Sequence, residues 1–157
     1  MVCVRLLSGL CVSRLFSGFY DNYMSKSMLS AGADVRDVLR TDPTIQELVG
    51  ENIYPIIAPN GTEGGYILYA RDDYSEDLTK MGVVDETASI ILNANSTDYD
   101  EGLMIAEAIR RVIRKMRNAG CALTISHARE DVAGYTEAGN TIYSQIIEIT
   151  FGNLYKG

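Results

Sequence analysis

An enzyme must bring together a nucleophile and a base, an acid paired with a base, or a metal ion, and few residues here have types and spacing that fit such parts. His127 is the single histidine. It continues the alternation of Leu123 and Ile125, which puts it at the end of a strand's inner face, and no neighbour in sequence nominates it as a general base. Cys3, Cys11 and Cys121 lack CxxC spacing, so neither a zinc centre nor a disulfide framework is indicated, and reduced thiols are the expectation. Serines are plentiful, but none sits in a Gly-x-Ser-x-Gly elbow. The loop Asn60-Gly61-Thr62-Glu63-Gly64-Gly65 lacks the Gly-Lys-Ser/Thr ending of a phosphate loop. It also runs into a strand instead of a helix N-terminus, so it reads as turn chemistry. Asn60-Gly-Thr and Asn95-Ser-Thr fit the glycosylation pattern, but so short a pattern recurs by chance and no secretory context supports it. No catalytic residue, metal ligand or cofactor is nominated.

Charge is the stronger signal. Asp72, Asp73, Glu76, Asp77, Asp85 and Glu86 flank the central strands, and Asp98, Asp100 and Glu101 open the longest predicted helix. Hard cations take carboxylate oxygens, yet the spacing matches no EF-hand loop. The second group is explained by the favourable place of carboxylates at a helix N-terminus. The first group reads as a solvated rim or as one half of an electrostatic contact. Arg110, Arg111, Arg114, Lys115 and Arg117 supply the other half, near the C-terminal end of that helix. Positive charge there complements the helix dipole. It also suits a head-to-tail interface between subunits, and contacts of that kind close into rings when the rotation permits. Exposed charge pairs alone do not decide between a solvated face and a subunit seam.

The elements that must position these charges belong to one domain. At 157 residues and 46% hydrophobic, the chain can bury a substantial core. The formal charge of −7, from 21 acidic and 14 basic residues, argues against a general nucleic-acid binder. No apolar run approaches the ~20 residues of a membrane span; Arg5 and Arg14 bracket the one candidate, Leu6 to Val12. Residues 1–23 read as an appended arm, or as the product of a start codon ahead of Met24. Such an arm is expected to be either disordered on its own or docked on a partner, in which case the apolar and aromatic Leu15, Phe16, Phe19 and Tyr20 would seat on a neighbouring subunit. The domain then runs over residues 24–157.

Within it, Val35, Val38 and Leu39 share one side of a helix starting at Ser30. Thr41-Asp42-Pro43 breaks that helix and starts a short second one, which ends at Gly50. Strands are expected over Ile53 to Ala58, with Pro55 marking an edge, over Tyr66 to Tyr74, and over Val83 to Ala94. A turn or hairpin tip is expected around Ser75-Glu76-Asp77. Ile105, Ile109, Val112, Ile113 and Met116 form one apolar stripe on a helix over Tyr99 to Asn118. Asp98 and Glu101 fit a capping box at its start, and Gly120 a left-handed residue past its end. An antiparallel hairpin follows, from Cys121 to Ser126 and from Tyr143 to Phe151. The fold class is α+β: an antiparallel or mixed sheet of about four to five strands, with one long helix packed across it and one or two short N-terminal helices.

In order and spacing, several segments resemble the tail-terminator or tail-completion (head-tail joining) proteins of long-tailed bacteriophages. They are Ala33 to Leu39 followed by Asp42 to Gly50; Ile53-Tyr54-Pro55 before a loop with Pro59; Gly65 to Ala70; Ala88 to Asn93 running into Tyr99-Asp100-Glu101-Gly102; and the closing Gln145 to Phe151. The likeness spans about Ser30 to Leu154, and the arm departs from the pattern. It implies a non-enzymatic virion protein of the tail-neck region, assembled in the host bacterial cytoplasm as a ring, commonly a hexamer. Such a ring sits on the head-proximal end of the tail tube, contacts the tube protein and the head-tail connector or stopper, and lets DNA pass through its lumen without specific binding. Asp72, Asp73, Glu76 and Asp77 are then expected near the lumen or a subunit seam, where like charge keeps DNA from sticking. The alternatives are an adaptor or stopper ring of the same neck and, from another class, a small α+β enzyme or ligand-binding domain.

Overall fold

The chain turns its first corner at Asp42, the residue held extended by the proline after it. Helix α1 (Ala31–Thr41), entered through a 3-10 turn at Met28–Ser30, buries Val35, Val38 and Leu39. Helix α2 (Pro43–Val49) starts on Pro43, whose missing N–H costs nothing there. The Asp42 carboxylate accepts from the amides of Thr44 at 3.0 Å and Ile45 at 3.1 Å. Gly50, at φ 57°, ends α2 in a conformation open to glycine. A computed structural model describes residues 28–152 of the chain; the arm with Leu15, Phe16, Phe19 and Tyr20 lies outside the described residues.

Five strands follow: β1 (Ile53–Pro55), β2 (Tyr66–Thr79), β3 (Gly82–Ser96), β4 (Leu123–Tyr135) and β5 (Thr141–Phe151), with helix α3 (Tyr99–Asn118) between β3 and β4. The sheet order is β1-β2-β3-β5-β4. β1 lies parallel to β2 and every other pair is antiparallel, so the sheet is mixed. The α+β expectation holds, with the three helices of the described residues on one face. The stripe of α3 (Ile105, Ile109, Val112, Ile113 and Met116) is at most 3% exposed and joins the buried cluster that includes Ile90, Leu92, Ile147, Ile149 and Phe151 of the sheet. Each such side chain contributes about 2 kcal/mol relative to exposure.

Both ends of α3 are closed by local chemistry. Asp98 accepts from the amides of Asp100 and Glu101. The reciprocal half of the expected capping box is replaced: the Asp98 amide donates to Ser96 Oγ at 3.0 Å, and the Ser96 hydroxyl donates to the Glu101 carboxylate. At the other end the Cys121 amide bonds the Met116 carbonyl and the Gly120 amide bonds the Arg117 carbonyl. With Gly120 at φ 101°, that is the paired closure of a Schellman motif.

Three expectations are corrected. The strand after Asn52 stops at Pro55 instead of reaching Ala58, where Ile56 turns to φ 62°. The acidic stretch Ser75-Glu76-Asp77 is not a turn: these residues pair with Thr87, Glu86 and Asp85, and the chain reverses at Lys80 and Met81. His127 does not extend the inner face of Leu123 and Ile125. A bulge at Ser126 shifts the register, so Ile125 faces Ile149 while His127 faces Glu148, on the side away from the helices. One extra residue in a strand inverts everything after it.

Candidate functional site

Among the described residues the helices cover one face of the sheet, and the other face is open. Alternation along β3 and β5 sends Ile91 and Asn93 of β3 and Ile146 and Glu148 of β5 to that side. There Asp72, Ile91, His127, Arg129, Ile146 and Glu148 line an open depression of about 230 Å³. The Ser89 hydroxyl donates to Glu148 Oε1 at 3.1 Å, so it is engaged by a carboxylate and not by the histidine. The depression collects an imidazole, a guanidinium and two carboxylates; it does not align a nucleophile with a base. Cys121, the thiol within the described residues, lies 6% exposed in the core, and burial pushes its pKa up to about 12. Among the described residues no three of His, Cys, Asp and Glu are grouped to hold a metal ion.

The acidic residues sit on a hairpin that outruns the sheet. β3 pairs with β5 only from Ala88 to Ser96, so Gly82 to Thr87 pair with β2 alone. On this extension Glu76 stands opposite Glu86, and Asp77 opposite Asp85. Like charges directly across a ladder are destabilising. One pair is moderated locally: the Tyr74 hydroxyl lies within hydrogen-bond distance of both Glu76 and Glu86, and the Met28 amide donates to Glu86 Oε2 at 3.2 Å. The Glu76 bond is the main cause of a Tyr74 pKa raised well above the ordinary phenol. Among the described residues the other pair has no such relief, and Asp85 Oδ1 is buried there without a hydrogen-bond partner. Asp72 occupies the bulge between Arg71 and Asp73, and Asp73 faces Ser89. Asp72, Asp73, Glu76 and Asp77 are all exposed.

The basic residues are on the outward side of α3. Arg110, Arg111, Arg114, Lys115 and Arg117 are each exposed, interleaved with the buried Val112, Ile113 and Met116. Arg110 pairs with Glu107 at 2.9 Å and Lys115 with Asp42 at 3.4 Å. Among the described residues Arg111, Arg114 and Arg117 have no carboxylate within 4.0 Å, and none of the helix cations pairs with the acidic hairpin. The structure thus brings the acids together on one hairpin and the cations together on one helix face, and keeps the two groups apart within a chain.

Sequence reasoning missed two apolar features beside these charges. Leu78 and Met81, at the hairpin end, are 72% and 98% exposed, and Leu103 and Met104 lie exposed on α3, N-terminal to its cations. The signal was present in Leu78 and Met81, lone apolar residues in a polar run that a buried turn would not need. At the opposite end of the sheet, Tyr99 donates to Glu130 at 2.8 Å and packs edge-on against Tyr143. That contact ties the β4–β5 hairpin to the start of α3.

No family model matches the sequence, and no curated protein matches it. Among solved structures, the fold is similar to that of a chain in the virion of a native gene transfer agent particle. The two share 15% sequence identity at a TM-score of 0.54, over 75% of this chain and 90% of that one.

Proposed function

We propose that this protein is a structural component of a phage-like virion, forming a ring at the head-proximal end of the tail tube. There it stops tube growth and joins the tail to the head connector. The observation that carries the reading is the shared fold: a chain built into a virion has the same arrangement across most of both lengths. The order of segments that resembles tail-terminator proteins points the same way. A ring also explains a subunit that segregates charge, since a head-to-tail contact needs two different and complementary surfaces on each copy. In this reading the protein transforms no molecule and takes no cofactor. Its partners are copies of itself, commonly six, the tube protein below and the connector or stopper above.

Negative-stain imaging and sedimentation of the purified chain test this. Rings with a hole wide enough for duplex DNA are expected. A lone subunit at every concentration, with turnover of a small molecule, would overturn it.

A further inference from the structure

The ring reading leaves open which surfaces meet, and two observations narrow the choice. The acidic hairpin sets like charges across its ladder: Asp77 faces Asp85, and among the described residues Asp85 Oδ1 is buried without a partner. The outward face of α3 carries Arg111, Arg114 and Arg117 with no carboxylate in reach among the described residues. Opposite charges across an interface fix register and exclude wrong partners.

The lengths agree as well. From Asp73 to Thr79, beside the hairpin end, six residue-to-residue steps along the strand cover ~20 Å. From Met104 to Arg117, thirteen residue-to-residue steps along the helix also cover ~20 Å. Each element is apolar at one end and charged along the rest. Met81 ends the hairpin beside Lys80, with Asp77 and Asp73 behind; Leu103 and Met104 lie near the start of α3, with Glu107 and then Arg110, Arg111, Arg114 and Arg117 following, so that Lys80 falls toward Glu107 and the aspartates toward the arginines.

We propose that the β2–β3 hairpin of one copy lies along the outward face of α3 of the next. Its end residue Met81 then seats on Leu103 and Met104, and Asp77 and Asp73, which share one face of β2, pair with the arginines. This inference rests on the ring reading and names its seam. The occupant of the helix face is a second copy of this chain, because the hairpin complements it in length, charge sequence and apolar end. The contact is heterologous, so each copy uses its hairpin on one neighbour and its helix on the other.

That asymmetry gives a test in which failure to fold cannot mimic success. One variant carries Asp73→Lys with Asp77→Lys; the other carries Arg111→Glu with Arg114→Glu. Each alone sets like charge against like at every seam, and is expected to sediment as single subunits under conditions where the unaltered protein forms rings. Mixed in equal amounts, the two are expected to regain rings, since the unaltered hairpin of the second variant meets the unaltered helix of the first, and the reversed pair is also complementary. A third variant, Met81→Asp, is expected to raise the concentration for half-assembly by about tenfold. Rings formed by either charge variant alone, or no rings in the mixture, would overturn this seam while the ring reading stands. Single subunits from the unaltered chain would remove the ring reading itself.

Discussion

A thiol enclosed by apolar side chains resists ionisation, because the thiolate would give up its water. Cys121 is such a group, its pKa raised by burial from 9.0 to about 12. On unfolding it returns to the ordinary value, so above pH 9 the unfolded state sheds a proton that the folded state keeps. Stability from this source is complete below about pH 9 and is lost as the pH rises toward 12. Tyr66, also raised by burial, and Tyr99, raised chiefly by its hydrogen bond to Glu130, act in the same direction. The urea midpoint should therefore fall across that alkaline window, and fall less steeply in Cys121→Ala. Equal slopes would mean that the thiol is not buried in solution. His127 shows where reading single residues stops. Its type was legible, but its face depended on a bulge at Ser126 that leaves no mark in a period-two pattern.

At the scale of elements, α3 was the most legible part of the chain. A stripe of five apolar residues, a capping aspartate and a terminal glycine all agreed on its limits, and the structure places it over Tyr99–Asn118. The β2–β3 hairpin was the least legible, because carboxylates in series read as a turn when their partner strand is unknown. What α3 lies against was not readable either. Gly65, at the entrance to β2, passes so close beneath it that an added Cβ would fall 2.6 Å from Ile105 Cδ1. Gly102, in the first turns of α3, has open space where a Cβ would go. The two glycines should therefore respond in opposite ways. Gly65→Ala is expected to cost about 1–2 kcal/mol, since a fully buried isoleucine must move, whereas Gly102→Ala should stabilise by up to about 1 kcal/mol through helix propensity. Chemical denaturation of both variants measures this, and a stable Gly65→Ala would show the approach to be looser than described.

Taken whole, the molecule is an acidic body, with 21 acidic against 14 basic residues, that gathers six carboxylates on the β2–β3 hairpin and five cations toward the C-terminal end of α3. Its fold class was legible from the sequence because helix and strand periods differ. The strand order β1-β2-β3-β5-β4 was not, since nothing local records that β5 inserts between β3 and β4. The charge bears on DNA directly: a duplex passing an acidic wall gains no counterion release from it. Binding to linear duplex at physiological salt is expected to be weaker than about 10⁻⁴ M in a gel-shift titration. Tighter binding would be at odds with the proposed ring, through whose lumen DNA would pass.

The two long hairpins leave the sheet at opposite ends, one turning at Lys80 and Met81, the other between Tyr135 and Thr141. They meet along β3 and β5, which run side by side over nine paired positions, from Ala88 with Phe151 to Ser96 with Tyr143. Tension drawn between the hairpin ends therefore loads that ladder lengthwise, in shear. Its rungs, perpendicular to the pull, resist together and are not peeled one by one. The nine-rung ladder therefore makes the sheet stiff against a pull applied between its two hairpin ends.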